Sequence, residues 1–170
     1  MIISETDRLI IQEFTTGDTA FIVALVNTPS WIRYIGERNI KSTEDAMNYL
    51  VNGPLKSYRE HGFGLYLVKL KNENIPVGMC GLIKRETLDD VDIGFAFLPE
   101  HEKKGYAFES AMAVMEKAQS LGLQRIVAIT MNENERSIRL LEKIKMKFEK
   151  MIVMPGGNEE LMLFSINFDK

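Results

Sequence analysis

The apolar positions change rhythm several times along the chain. From Leu9 to Phe14 ("LIIQEF") they alternate closely enough for a first strand. "TTGDTAFIVALVN" moves to helical spacing, with Asp18 as the cap and Phe21, Ala24 and Leu25 on one face. "STEDAMNYLVNGPLKSYREHG" stays helical, but Gly53-Pro54 divides it, so the proline opens a second short helix. "GLYLVKL" and "IPVGMCGLIKR" form two strands joined by the turn "KNENIP". "VDIGFAFLP" is a fourth strand, stopped by a proline that cannot donate to a ladder. A helix runs from about Gly105 to Leu121, with Phe108, Ala111, Met112, Met115 and Ala118 as its apolar stripe and Gly122 at its end. "QRIVAITM" is a buried type of strand. "NENERSIRLLEKI" is a helix begun by Asn132 or Asn134, with Ile138, Leu141 and Ile144 inward. "KFEKMIVM" and "ELMLFSINF" close the chain as a hairpin across "PGGNE". The strand-helix-strand run from Val91 to Met131 predicts a right-handed crossover with its two strands parallel.

Two places in that run depart from plain core packing. Side chains alternate between faces of a strand, so Val91, Ile93, Phe95 and Phe97 point one way and Asp92, Gly94 and Ala96 the other. The second face carries so little side chain that either a ligand or a helix can approach its backbone. Then "PEHEKKGYAFES" sets two lysines and Gly105 at the start of a helix. A helix start offers free N–H groups and partial positive charge, and glycine lets a phosphate come close. The segment therefore suits a pyrophosphate cradle, and equally a solvated loop with a glycine turn. Neither the P-loop pattern nor G-x-G-x-x-G is present.

Composition narrows the classes. At 170 residues, 45% hydrophobic and 26% charged, the chain suits one globular domain. No apolar run is long enough to span a membrane, and the start "MIISETDRLIIQEF" lacks the pattern of a signal peptide. A net charge of −3 gives no general pull toward nucleic acid and mildly suits a cationic partner. The lone cysteine, Cys80, excludes an internal disulfide and points to a reducing, cytoplasmic setting. His61 and His101 lie far apart with no cysteine near, so no metal site is expected.

"VDIGFAFLPEHEKKGYAFESAMAVMEKA" and "NENERSIRLLEKIKMKFE", with the opening "ETDRLIIQEFTTGD", resemble the GNAT superfamily of acyl-CoA-dependent N-acetyltransferases, closest to its RimJ/RimL-type branch. The likeness covers essentially the whole chain and implies a single domain over residues 1–170. The implied fold is α/β (α+β): a mixed, mostly antiparallel sheet of about seven strands with about four helices, its parallel fourth and fifth strands splayed around the coenzyme. The implied co-substrate is acetyl-CoA, with no metal, and the implied acceptor is a protein N-terminal or small-molecule amine. By resemblance, backbone N–H groups across Lys103, Lys104, Gly105, Tyr106 and Ala107 hold the pyrophosphate, and Ala96, Phe97 and Leu98 pair with the pantetheine arm. Asn134 bonds that arm as well. Glu102 stands where relatives have Gln or Arg; beside a pyrophosphate it is repulsive unless it points outward or is neutralised by Lys103 or Lys104. Lys145 stands where they have glycine, in a backbone conformation costly for any other residue.

Chemistry follows from that frame. An amine must lose a proton before it attacks, and a thiolate must be met as it leaves. No Cys-His or Ser-His-Asp set is evident, so direct transfer in a ternary complex is expected. Asp92 is the first candidate base; its competing reading is an ion pair with Lys84 or Arg85, and Glu86 is a rival. Ser137 is the candidate acid, or else a helix first-turn serine. The tyrosine acid of many relatives is missing, since Leu141 holds that position. Trp31 and Tyr34, in a loop after the first helix, are candidate acceptor contacts, with packing the competing reading of Trp31. The second functional class is a CoA-binding scaffold on the same fold with weak transfer. The closing hairpin offers an edge for a homodimer; neither nucleic acid nor membrane is expected as a partner.

Overall fold

A four-residue edge strand opens the chain. The computed structural model describes residues 1–169, and β1 (Ile2–Glu5) pairs antiparallel with β2 (Leu9–Glu13). Six further strands complete one sheet: β3 (Leu65–Leu70), β4 (Pro76–Ile83), β5 (Asp92–Phe97), β6 (Arg125–Met131), β7 (Lys147–Val153) and β8 (Glu160–Asn167). Their order is β1-β2-β3-β4-β5-β6-β8-β7, and β5–β6 is the one parallel pair. The expected mixed sheet and its parallel crossover are present, with eight strands instead of about seven. The extra strand is β1, too short to show an alternation of its own.

Six α-helices pack on it: α1 (Thr19–Val26), α2 (Pro29–Tyr34), α3 (Thr43–Asn52), α4 (Pro54–His61), α5 (Tyr106–Ser120) and α6 (Glu135–Lys143). The expectation of about four was low, and α2 accounts for the main surprise. Thr28 caps it by accepting from the Trp31 N–H, and Pro29 holds its first position, where a missing N–H costs nothing. So Trp31 stands on a helix, not in a loop. Asp18 does not cap α1; its carboxylate accepts from the Thr15 N–H at 2.8 Å in the turn that leads into the helix. Ser42 and Asp45 form a reciprocal capping box at α3. Pro54 opens α4 as the Gly-Pro break predicts, and Gly62 closes it at φ 78°.

The sheet separates two cores. On one face α5 lays Ala111, Val114, Met115 and Ala118 against Ile11, Val68, Cys80, Ile93 and Phe97. Burying each of the larger of these side chains contributes about 1.5–3 kcal/mol. Met112, expected in that stripe, is 40% exposed; the helix turns it outward. On the other face α1 to α3 bring Ile22, Leu25, Trp31, Ala46 and Leu50 against Phe14, Leu67 and Met79. The two faces of β5 divide as read: Val91, Ile93, Phe95 and Phe97 join the α5 core, while Ala96 packs toward α1–α3. Cys80 is fully buried, and burial pushes its thiol up to about 12, so it is apolar filling.

Candidate active site

The site begins where a ladder ends. β5 and β6 share one register pair, Asp92 with Val127, supported by the Val127 N–H donating to the Val91 carbonyl at 3.0 Å. Beyond it β6 follows β8, pairing with it from Arg125–Asn167 to Met131–Leu161, and so leaves β5. The Leu98 N–H donates to the Val77 carbonyl at 2.9 Å, toward β4. Alternation along a strand then turns the N–H groups of Phe95 and Phe97 to the other side, into the gap where no strand pairs with them.

That gap opens onto the loop before α5. A short 3-10 turn at Pro99–His101 leads into it, Lys103 and Gly105 both hold positive φ (62° and 83°), and α5 starts at Tyr106. Among the described residues no side chain caps the first turn of α5, so its N–H groups keep their donor capacity. The loop is braced from behind. Arg8 donates from Nη1 to the Lys104 carbonyl at 2.8 Å and from Nε to Glu109 Oε2 at 2.7 Å. Its guanidinium also lies 4.7 Å from the Tyr106 ring centre. Glu109 further accepts from the Arg8 N–H at 2.9 Å and from Thr6 Oγ1 at 2.6 Å. Burial works to raise the Glu109 pKa, but these bonds together lower it.

Gap, loop and acceptor-side helices enclose a cavity of about 600 Å³. Asp92, Ser137, Ala96, Phe97, Lys103, Gly105, Tyr106, Ala107, Asn134, Trp31 and Tyr34 all line it. Three of the candidates named from sequence do not: Glu86, the rival base, lines a separate hollow, and Leu98 and Lys104 are held elsewhere. Leu98 gives its N–H to β4 and packs with the α1–α3 core, and Lys104 lies outside the lining, its carbonyl held by Arg8. Among the described residues, three buried side-chain polar atoms lack a partner: Trp31 Nε1, His101 Nδ1 and Thr130 Oγ1. All three residues line this same cavity. Unsatisfied buried polar atoms are costly, and their gathering at one void marks a place built for something other than protein.

Two ion pairs line the cavity. Arg136, one helix away, neutralises Glu102, not the neighbouring lysines. Asp92, 1% exposed, accepts from Arg85 Nε at 3.0 Å. Burial raises the Asp92 pKa to about 6 despite that cation. The ion-pair reading of Asp92 is therefore real geometry, and it does not preclude proton transfer. Asn134 Oδ1 accepts from the Ser137 N–H at 3.3 Å, which makes Asn134 the α6 cap and leaves its amide N–H groups free. Lys145 does adopt the left-handed conformation at φ 74°, just past α6. Leu141, where the resemblance would have a tyrosine acid, is 1% exposed in the core.

Sequence reading missed Arg8, Glu109, Arg136 and Thr130. Thr6, Arg8 and Glu109 meet across a hundred residues of chain, and no local pattern announces such pairings.

A model of the "Acetyltransferase (GNAT) domain" family matches residues 8–147. YoaA, an uncharacterized N-acetyltransferase of Bacillus subtilis, is 31% identical over 151 residues, covering 87% of this chain and 83% of that protein. The crystal structure of a GNAT-family acetyltransferase from Bacillus anthracis superposes with a TM-score of 0.81 at 30% identity, covering 98% of both chains. At 16% identity, with a TM-score of 0.74 and 99% of both chains covered, the fold is also that of RimL, a ribosomal L7/L12 alpha-N-protein acetyltransferase solved in complex with coenzyme A. A splayed parallel pair, an uncapped helix start beside it, and likeness to acetyltransferases over almost the whole length agree: the chain belongs to the GNAT family of acetyltransferases.

Proposed function

We propose that the chain, acting as one domain in the cytoplasm, takes acetyl-CoA as donor and passes its acetyl group directly to a primary amine in a ternary complex. The observation that carries this is the β5–β6 gap opening onto the uncapped start of α5. Bound there, acetyl-CoA supplies an activated thioester carbonyl. The residues present fit it: N–H groups of Lys103, Gly105, Tyr106 and Ala107 would hold the diphosphate, that of Phe95 would pair with the pantetheine arm, and Asn134 has amide donors to spare. The basic lining near the loop, including Lys103 and Arg139, suits a polyanion.

Each reacting group then has a partner. Asp92, ionised above about pH 6, takes the proton of the incoming ammonium, directly or through one water. The Phe97 N–H meets negative charge that develops on the carbonyl oxygen. The departing sulfur takes up the second proton, which the attacking nitrogen sheds as the amide forms, and the Ser137 hydroxyl hydrogen-bonds that sulfur and relays the proton. Trp31 and Tyr34 form the acceptor wall, and RimJ/RimL-like use of a protein N-terminal amine stays within this reading.

Release of free thiol from acetyl-CoA, followed with a panel of amines and N-terminal peptides, tests it. Amine-dependent thiol release is expected. Failure of acetyl-CoA to bind, or thiol release indifferent to amine, would contradict it.

A further inference from the structure

The end of the cavity remote from the α5 loop carries cations that acetyl transfer, as described, leaves without a task. Asp92 and Phe97 are five residues apart on β5, roughly 17 Å along an extended strand. The loop lies at the Phe97 end. Arg85 marks the other end through its 3.0 Å contact with Asp92. Arg38, between α2 and α3, lines the cavity too, and both arginines lie near enough to the Tyr49 phenol for their charges to act on it. Neither is placed to serve a diphosphate at the loop.

The acidic side of the cavity is nearly committed. Three carboxylates line it: Asp92, Glu102 and Glu159. Arg85 takes the first and Arg136 the second, which leaves only Glu159, exposed on the β7–β8 turn. A polycationic acceptor needs a free carboxylate for each remote ammonium group it brings out of water, and the cavity does not supply them. Arg38 has no salt bridge or side-chain hydrogen bond among the described residues. The same lining includes aromatic and apolar side chains: Trp31, Tyr34, Tyr49 and Met79.

We infer that the acceptor is a monoamine with an aromatic or apolar body and an anionic group, a carboxylate or a phosphate, with its amine at Asp92 and its anion on Arg38. The inference rests on the acetyltransferase reading above. It reverses the preference for a cationic partner that net charge alone suggests, because the local field in the cavity is opposite in sign to that of the molecule.

Matched pairs of amines test it by thiol release from acetyl-CoA: phenylalanine against phenethylamine for the carboxylate, phosphoethanolamine against ethanolamine for the phosphate, and spermidine as the polycation. The anionic member of one pair is expected to exceed its partner by about tenfold or more in kcat/KM, and spermidine to be inert. In Arg38→Ala that preference falls to about unity and the KM for acetyl-CoA stays within about twofold; Arg38→Lys recovers part of the preference. Transfer to the neutral or polycationic amines as readily as to the anionic ones, transfer to no anionic amine, or an unchanged preference in Arg38→Ala would overturn it. A thermal upshift with acetyl-CoA, measured on the same samples, separates the two readings: if it persists, only the acceptor class fails, and if it is absent, the acetyltransferase reading fails first.

Discussion

Asp92 carries two opposed demands, and both can be measured. Burial raises its pKa from 3.8 to about 6, while Arg85 holds it partly down. A base with that pKa is ionised at neutral pH, so kcat/KM should rise with pH through about 6, and Asp92→Asn should lower kcat by about a hundredfold or more. Stability runs the other way. Between about pH 4 and 6 the folded state binds a proton that the unfolded state has released, so wild type loses stability as pH rises across that window. Relative to Asp92→Asn, denaturant titrations at pH 4 and 7 should show wild type losing on the order of 3 kcal/mol. An unchanged difference would mean the carboxylate titrates normally. Arg8 gives a contrasting test, because it touches the loop and not the cavity. Arg8→Ala should raise the KM for acetyl-CoA about tenfold and leave kcat within about twofold, with Glu109→Gln in the same direction. At this scale the sequence is legible only where chemistry is local. Arg85 lies seven residues from Asp92 and could be named as a partner in advance. The Arg136–Glu102 and Arg8–Glu109 pairs span 34 and 101 residues and could not.

Among the elements, α5 and α6 are the two that frame the gap, and each has a positive-φ residue beside one end. The α5 start stays open because Gly105 and Lys103 turn the chain through positive φ before it. The α6 end does the same with Lys145, whose N–H bonds back to the Glu142 carbonyl at 3.0 Å while Met146 N–H bonds to Leu141 O at 3.0 Å. A lysine held there costs roughly 1 kcal/mol that glycine would not. Lys145→Gly is therefore expected to raise stability by about 1 kcal/mol and Tm by roughly 2–4 °C, with kinetics unaltered; a lower Tm would show that the side chain contributes more than its backbone costs. Periodicity located α5, α6 and the strands of the parallel unit well, because each is long and amphipathic. It failed on β1 and α2, where four and six residues give no full repeat. Pro29 followed by Trp31 therefore passed for a loop.

Across the whole molecule, the sheet divides two cores, and the site is where its strands part. β6 belongs to the β8–β7 half and β5 to the β1–β4 half, so one register pair is all that joins them. No sequence pattern encodes that divergence; only the family resemblance foretold it. The small face of β5, by contrast, was plain from Asp92, Gly94 and Ala96, and it does line the cavity. The central claim is that the open amides at the α5 start grip a diphosphate and so aim a thioester into the gap. Calorimetric titration with acetyl-CoA and with acetyl-pantetheine, which lacks the diphosphate, tests this most directly. The account predicts micromolar binding of acetyl-CoA and binding of acetyl-pantetheine weaker by about a hundredfold or more. Equal affinities, or no binding of acetyl-CoA at millimolar concentration, would contradict it.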